Sequence, residues 1–238
     1  MIALPLEGDL HHPQGLSPRA SGRDDGWWVT TVDPHAARGV VVGFDAAGRR
    51  THEIEVTDGD LIHPGGCGLD ADGLLWVPVA EYRPASTTRV LTIAPDGTAT
   101  SRFEFGDHLG LIVPRPDGLL VAGTWGSRTL LLLERDGTIV ARVDNPQHVV
   151  DYQDATARAD GTIIATGTGR GFGRDLGGLA VLDADLGLRL LLPMPDRSPG
   201  DRPVTYNATW CEPTASGCAL WAVPDDGAAA LLRLDLPI

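Results

Sequence analysis

The sequence predicts an all-β protein, a single five-bladed β-propeller with four-stranded blades, and three observations support this prediction. A short apolar run, an Asp-Gly or similar turn and a second apolar run recur five times along the 238 residues. Each recurrence is followed by further short apolar runs, which complete a four-stranded blade. One additional apolar run stands near residue 1, where it can close the last blade and remove the open edge.

The register of the repeat follows from the number of residues between the start of each copy and its turn. Three copies begin at His63, His108 and Asp151, and in each the Asp of the Asp-Gly turn lies nine residues after the first position. Two looser copies begin at His12 and Asn207. The five starts are 51, 45, 43 and 56 residues apart, and a self-similar period of this length is typical of propeller blades.

The third and fourth strands follow each copy, as in RVLTIAPDG and then SRFEF. The last copy supplies three strands, and IALPLE at residues 2–7 is predicted to supply its fourth. The whole chain, 1–238, is thus expected to be one propeller domain. The predicted blades are 12–57, 58–106, 107–144, 149–194, and 205–238 together with 2–7.

Composition excludes several functions. The net charge is -13 and all 19 basic residues are arginine, so we expect neither nucleic acid nor an anionic membrane surface as a partner. Without lysine, no side-chain Schiff base can form. No apolar run approaches the length of a membrane span.

The three cysteines, Cys67, Cys211 and Cys218, form no CxxC pair. We therefore expect reduced thiols in a cytoplasmic protein, with a bridge between Cys211 and Cys218 as the alternative. The first residues, MIALPLEGDL, lack the basic and long apolar regions of a secretory signal.

The first residues of the five inner strands should meet at one mouth of the central channel. Three of them are histidines and two are Asp151 and Asn207. His12, His63, His108 and Asp151 are the predicted ligands of a divalent transition metal (Zn, Fe, Mn, Ni or Cu), because imidazole and carboxylate suit such ions. Two alternatives remain open, namely metal-free acid–base catalysis by the histidines and a polar channel that binds only water.

Loops from the second to the third strand of each blade open on the same face, where functional loops are expected. Predicted catalytic residues are His63, His108, Tyr82 and Asp154, the last as a general base. Predicted substrate-binding residues are Glu81, Arg83, Trp125, Arg128, Gln153 and Tyr206, because arginine can clamp an anion and aromatic rings give apolar walls. For each charged rim residue taken alone, a solvated loop side chain is the favoured interpretation.

A glycine-rich segment, residues 167–177, includes Arg170, Phe172 and Arg174 and is expected to form a mobile lid. No helix follows it, so it does not predict a phosphate-binding loop, and no nucleotide cofactor is expected.

The blade pattern resembles an uncharacterised group of bacterial propeller proteins near the strictosidine-synthase-like, gluconolactonase and NHL-type propellers. The resemblance is carried by these motifs: H-P-x-G at 12 and 63, H-L-G at 108, V-P-V-A-E-Y-R-P at 77–84, T-W-G-S-R at 124–128 and Y-Q-D at 152–154. Those relatives include calcium-dependent lactonases, a streptogramin lyase and a Pictet–Spengler condensing enzyme. Most have six or seven blades, whereas this chain has five and a histidine-rich channel, which weakens the case for calcium and leaves the reaction open.

The sequence therefore predicts an enzyme that acts on a small organic molecule at the channel mouth, by hydrolase, lyase, isomerase or cyclase chemistry. The alternative is a non-catalytic propeller that binds a ligand or a protein on the same face. A pair of carboxylates for glycoside hydrolysis, drawn from Glu81, Asp151 and Asp154, also stays open, but it would leave the three histidines unexplained.

Overall fold

Five antiparallel sheets form a ring in the computed structural model, which describes residues 2–19, 25–171, 173–215 and 217–237. The predicted five-bladed β-propeller is thereby confirmed. The described ranges contain no α-helix, and a 3-10 turn covers Trp125–Ser127.

Strands of the N-terminal half supply the closing strand and the first two blades. Blade 1 has the order β2-β3-β4-β5, and blade 2 has the order β10-β9-β8-β6, with β7 also paired to β8. Their bounds are β1 Ile2–Pro5, β2 His12–Pro18, β3 Trp27–Asp33, β4 Arg38–Phe44, β5 Arg50–Glu55, β6 Leu61–Pro64, β7 Gly68–Leu69, β8 Leu75–Glu81, β9 Thr88–Ile93 and β10 Ala99–Phe105.

The C-terminal half builds the other three blades. Their orders are β11-β12-β13-β14, β15-β16-β17-β18 and β19-β20-β21-β1. The bounds are β11 Leu109–Pro114, β12 Leu120–Thr124, β13 Thr129–Leu133, β14 Ile139–Asp144, β15 Asp151–Ala157, β16 Ile163–Gly171, β17 Arg174–Leu182, β18 Leu188–Met194, β19 Ala208–Thr214, β20 Gly217–Val223 and β21 Ala230–Leu236.

The ring is closed by the N-terminal strand. β1 pairs antiparallel with β21, from Ile2 opposite Arg233 to Pro5 opposite Ala230. This pairing satisfies the edge of β21 that would otherwise be open to another chain. The N-terminal strand therefore completes the last blade, as the repeat predicts.

The core is divided among the contacts between neighbouring blades. Trp27 packs in the cluster between blades 1 and 5, whereas the next residue, Trp28, packs in the cluster between blades 1 and 2. Successive side chains of a strand point to opposite faces, so a middle strand with both faces covered has consecutive apolar side chains over much of its length. This explains runs such as WWV in β3 and TLLLL in β13.

The inner strands approach one another so closely that glycine is required at the axis. A Cβ on Gly15 would lie 2.8 Å from the backbone nitrogen of Cys67, and one on Gly66 would lie 2.6 Å from the carbonyl oxygen of Gln153. Such contacts are too short for any side chain to be accommodated without moving backbone. Glycine at these positions therefore lets the inner strands pack backbone against backbone near the axis.

The prediction of three reduced cysteines is wrong. Cys211 in β19 and Cys218 in β20 are joined by a disulfide, with their Cα atoms 5.8 Å apart. The two strands are paired, and Cys218 stands opposite Pro213, two residues from Cys211, which brings the Cα atoms within disulfide range. Cys67 is a buried free thiol in the cluster between blades 1 and 2. Among the described residues, no helix is long and apolar enough to cross a membrane.

The glycine-rich segment 167–177 is not a loose lid. Its described residues continue β16 and β17 as a long hairpin, paired from Gly167 opposite Gly178 to Gly171 opposite Arg174. Phe172, at the tip, lies outside the described residues.

Candidate functional site at the channel mouth

A cavity of about 270 Å³ lies at the mouth on which the starts of the inner strands converge. His12 opens β2, His63 lies in β6, His108 precedes β11 and Asp151 opens β15. All four border the cavity, and Asn207, which precedes β19, does not. The complete lining is His12, Gln14, His63, Tyr82, His108, Gly110, Thr124, Trp125, Gly126, Asp151, Tyr152, Gln153 and Thr168.

Bulges in the inner strands place amides in the wall. The pairing register shifts around Gln14 in β2, Gly110 in β11 and Gln153 in β15, each two residues after the strand start of the repeat. A bulge re-aims the side chain of the extra residue, and here the Gln153 amide donates a hydrogen bond to Oε1 of Gln14. Gln153 was predicted from the sequence. Gln14 was missed, although it holds the equivalent position in blade 1.

His63 is a buried residue in the wall of the cavity. Its Nε2 lies 3.1 Å from Oε1 of Gln14, so Nε2 carries the proton and donates it, because that oxygen can only accept. Burial, together with the proximity of His108 and His12, lowers the pKa of His63 to about 3. Its Nδ1 is buried and has no hydrogen-bond partner among the described residues. His63 is therefore a neutral imidazole with an unused acceptor.

His108 is held by a backbone carbonyl. Its Nδ1 donates to the carbonyl oxygen of Arg83 at 3.0 Å, which leaves Nε2 as an acceptor. Burial lowers the pKa of His108, although the hydrogen bond to Arg83 opposes the shift. The His63 and His108 ring centroids are 5.4 Å apart. At neutral pH both imidazoles are thus uncharged.

Two exposed aromatic rings cover the histidines. Tyr82 is stacked on His63 with 4.5 Å between ring centroids, and Trp125 meets His108 edge-on at 4.7 Å. Tyr82 and Trp125 keep 46% and 37% of their surface exposed, so their free faces are available to a flat ligand. Burial raises the pKa of Tyr82, helped by Tyr206 and Asp226, and the phenol therefore remains a hydrogen-bond donor.

His12 forms a dyad with a carboxylate that the sequence reasoning missed. Nδ1 of His12 lies 2.8 Å from Oδ1 of Asp226, which also accepts from the Asn207 amide at 3.1 Å. Arg202 binds the other oxygen at 2.7 Å and stacks over Tyr206. Burial opposes ionisation of Asp226, but the hydrogen bonds from His12 and Asn207 and the charge of Arg202 outweigh it and lower its pKa.

The ionised Asp226 fixes the tautomer of its partner. A carboxylate only accepts hydrogen bonds, so Nδ1 of His12 must carry a proton. Nε2, for which the described residues offer no hydrogen-bond partner, is then the basic nitrogen. Asp226 lies between β20 and β21, in a loop equivalent to the second-to-third-strand loops that supply the predicted rim residues of the other blades. This equivalence is the feature of the sequence that points to Asp226.

Four arginines at the mouth are each paired with a carboxylate. Arg83 and Arg128, which are predicted to bind substrate, are among them. Among the described residues these pairs are Arg83–Glu81, Arg128–Asp151, Arg170–Asp175 and Arg202–Asp226. Arg128 also contacts His148. Asp151, Arg170 and Tyr206 border a second, polar cavity of about 630 Å³ beside the first.

Asp154, the predicted general base, is not at the mouth. It is fully buried at the axis, where Oδ2 accepts hydrogen bonds from the backbone amides of Leu16 at 2.8 Å and Thr209 at 3.1 Å, and Oδ1 accepts from Ala155 at 2.9 Å. Burial raises its pKa, although the amide hydrogen bonds of Leu16, Thr209, Ala155 and Cys67 oppose this shift. Asp154 joins inner strands and does not border the cavity.

The predicted metal ligands do not fit a metal centre. Among the described residues no three His, Cys, Asp or Glu side chains converge as ligands. Asp151 is engaged by Arg128, and the ring nitrogens of His12, His63 and His108 that lack hydrogen-bond partners in the described part of the chain are not gathered into one ligand set. The chemistry of the mouth must therefore be derived from the side chains themselves.

The fold is shared with solved enzymes. A gluconolactonase from Xanthomonas campestris has 16% sequence identity and a TM-score of 0.55, with 98% of each chain covered. A luciferin-regenerating enzyme has 9% identity and a TM-score of 0.56, covering 99% of this chain and 95% of that one. A catalytically inactive histidine-to-alanine variant of virginiamycin B lyase from Staphylococcus aureus, solved with quinupristin, has 14% identity and a TM-score of 0.51, covering 93% and 80%.

At these identities the likeness shows a common fold and not a common activity. No curated protein matches the sequence at a significant level. The model of a family of unknown function, DUF6454, matches residues 2–236. The predicted resemblance, to an uncharacterised propeller family near the gluconolactonase propellers, is confirmed.

Proposed function

The chain belongs to the family of unknown function DUF6454, and from its channel mouth we propose that it is an enzyme that transforms a small, uncharged organic molecule by histidine acid–base catalysis. His12 is the proposed general base and Asp226 its positioning residue. The observation that carries the proposal is the 2.8 Å contact between Nδ1 of His12 and Asp226, with His12 bordering the cavity.

The dyad defines a proton path. Nε2 of His12 takes a proton from a water molecule or from the substrate, while Asp226 stabilises the imidazolium that forms. In hydrolysis, the resulting hydroxide attacks a carbonyl carbon, and His12 returns the proton to the leaving oxygen. In a lyase or cyclase step, the same nitrogen removes the proton and returns it elsewhere on the substrate. No metal enters either sequence.

The walls indicate an uncharged substrate. The imidazoles of His63 and His108 are neutral because burial lowers the pKa of each. Four arginines at the mouth are paired with carboxylates, so an anionic ligand that binds one of them would have to displace an ion pair. Tyr82 and Trp125 offer flat apolar surface, whereas Gln14 and Gln153 offer amides. A flat molecule with a carbonyl or hydroxyl group is complementary to these walls, because it can stack on the aromatic rings and hydrogen-bond to the amides.

Known propellers make this class of chemistry reasonable. Enzymes of the same fold include a gluconolactonase and a virginiamycin B lyase, and one histidine-to-alanine variant of the lyase is described as catalytically inactive. These are properties of those proteins. They support the proposal because the shared fold also brings strand starts together at one mouth.

The test uses uncharged esters and lactones, beginning with 4-nitrophenyl butyrate and δ-valerolactone. We expect hydrolysis of at least one probe, with kcat/KM reduced about 10²- to 10⁴-fold in His12→Gln. His35→Gln is the matched control, because His35 is exposed and does not border the cavity. Activity should survive incubation with EDTA. Equal activity of both variants, or loss of activity on chelation with recovery on adding zinc, would overturn the proposal.

The second candidate, a non-catalytic binding propeller, is favoured by one observation. His63 and His108 are engaged with Gln14 and the Arg83 carbonyl, and neutral imidazoles in such contacts recognise a ligand without transforming it. The candidates separate if a probe binds with unchanged affinity to His12→Gln and wild type and is recovered intact from both. That result would establish binding in place of catalysis.

A further inference from the structure

The mouth cavity continues into two others along β16. The mouth and the polar cavity share Asp151 and Thr168 as lining residues. The polar cavity in turn shares Val149, Gly169 and Arg170 with an apolar cavity of about 210 Å³. The three cavities therefore lie side by side along β16, and together they are called the groove.

The outer end of this groove is strongly apolar. Its side chains come from the loop before β15, from β17 and from β18: Val149, Val150, Leu176, Leu191, Leu192 and Pro193. Val149 and Leu176 are exposed, at 67% and 36%. Exposed aliphatic side chains that line a concave surface are the usual mark of a binding site.

One wall of the apolar end is held in place by hydrogen bonds and close packing. Oε1 of Gln147 accepts hydrogen bonds from the backbone amides of Val149 and Val150, each at 2.9 Å. A Cβ on Gly178 would lie 2.3 Å from the side chain of Val150, so this valine packs directly against β17. These contacts fix the Val149–Val150 wall of the pocket, so ligand binding requires little ordering of that wall.

We propose that the substrate carries an aliphatic arm of about six or more carbons, which crosses the polar cavity and ends in this apolar pocket. This inference rests on the proposed function of the mouth. Thr168 borders the mouth and Arg170 borders the pocket, and two residues of a strand span about 7 Å, which sets the length of the arm. The polar cavity between them suits an ester, amide or hydroxyl group at the base of the arm.

The experiment measures binding of 4-alkylphenols, from 4-ethylphenol to 4-octylphenol, by calorimetry. Each added methylene that enters the pocket should tighten Kd about fourfold, and the gain should stop when the pocket is full. In Leu176→Asp the gain should disappear, while 4-ethylphenol binds as to wild type. Leu190→Asp is the control, because Leu190 is exposed on β18 but does not border the pocket.

Two outcomes would overturn the inference. One is a chain-length gain that persists in Leu176→Asp, and the other is the absence of any gain in wild type. His12→Gln separates this result from the proposed function. A gain abolished in Leu176→Asp but unaffected by His12→Gln supports the pocket even if no probe is turned over.

Discussion

Oδ2 of Asp154 accepts a hydrogen bond of 2.8 Å from the backbone amide of Leu16. The two residues belong to blades 4 and 1, which are not neighbours in the ring. The same oxygen accepts from Thr209 in blade 5. One carboxyl group therefore ties three inner strands together at the axis, where the approach of the strands leaves room for little else.

Asp154→Ala is expected to destabilise the fold severely. The substitution leaves the buried amides of Leu16, Thr209 and Ala155 without acceptors, at a cost of about 3 kcal/mol or more in the free energy of unfolding. For a chain of this size, that corresponds to a fall in Tm of about 6 to 12 °C. Urea unfolding followed by tryptophan fluorescence measures the loss.

Asp154→Asn should be intermediate, because the amide keeps one acceptor oxygen. Asp160→Ala, in an exposed Asp-Gly turn of the same blade, is the control and should cost less than about 1 kcal/mol. A stable Asp154→Ala protein that has lost its activity would instead restore Asp154 as a catalytic base.

The sequence was sufficient to predict the architecture, because its repeat consists of strand-length apolar runs separated by turns. The repeat also predicted that His12, His63 and His108 lie close together, because the symmetry of the blades relates the first residues of the inner strands. It could not give the partners of these side chains. Asp226 reaches His12 across 214 residues of chain, and Asp154 turns inward because a bulge shifts the register of β15 after Tyr152.

The disulfide escaped prediction for a related reason. Seven residues between two cysteines fit many conformations, and only the pairing of β19 with β20 brings the Cα atoms to 5.8 Å. We expect one titratable thiol, that of Cys67, in protein unfolded without reductant. Three thiols under these conditions would show that the bridge does not form.

The bridge should also contribute to stability. In the chain-entropy description, cross-linking a loop this short contributes about 2 kcal/mol. Reduction, or the double variant Cys211→Ser and Cys218→Ser, is therefore expected to lower Tm by about 4 to 8 °C. Cys67→Ser without reductant serves as a comparison, because it replaces a buried thiol but leaves the Cys211–Cys218 bridge in place.

The free energy of unfolding should fall in mild acid, because the unfolded chain is protonated at His63 and the folded protein is not. Its folded-state pKa is about 3, below the value of about 6.5 in an unfolded chain. As the pH falls below 6.5, the unfolded state therefore binds a proton that the folded state does not. The stabilisation is complete above about pH 6.5 and is lost progressively toward pH 3. Between pH 7 and pH 5 the loss should be about 2 kcal/mol.

His63→Gln isolates this contribution. The glutamine can still donate to Gln14 but does not titrate in this range, so the variant should lose about 2 kcal/mol less than wild type between pH 7 and pH 5. Unfolding free energies from urea titrations at the two pH values give the comparison. Parallel losses in the two proteins would mean that His63 is protonated in the folded state or that other groups dominate.

Asp226 is predicted to position His12 for catalysis. Asp226→Asn keeps the shape of the side chain, but its amide can donate to Nδ1 and thus favour the tautomer with the proton on Nε2. That tautomer cannot act as a base at the cavity. We therefore expect kcat/KM for an active ester probe to fall about 10²- to 10⁴-fold, with KM little changed. Asp226→Glu should recover part of the loss, since it restores a carboxylate.

A purely structural role would give a different pattern. Asp226 also binds Arg202 and Asn207, so destabilisation alone could reduce activity. In that case kcat would follow the folded fraction, and Arg202→Gln, which removes another member of the network, would reduce it equally. Selective loss in Asp226→Asn at an unchanged folded fraction would identify the carboxylate as the group that sets the tautomer of His12.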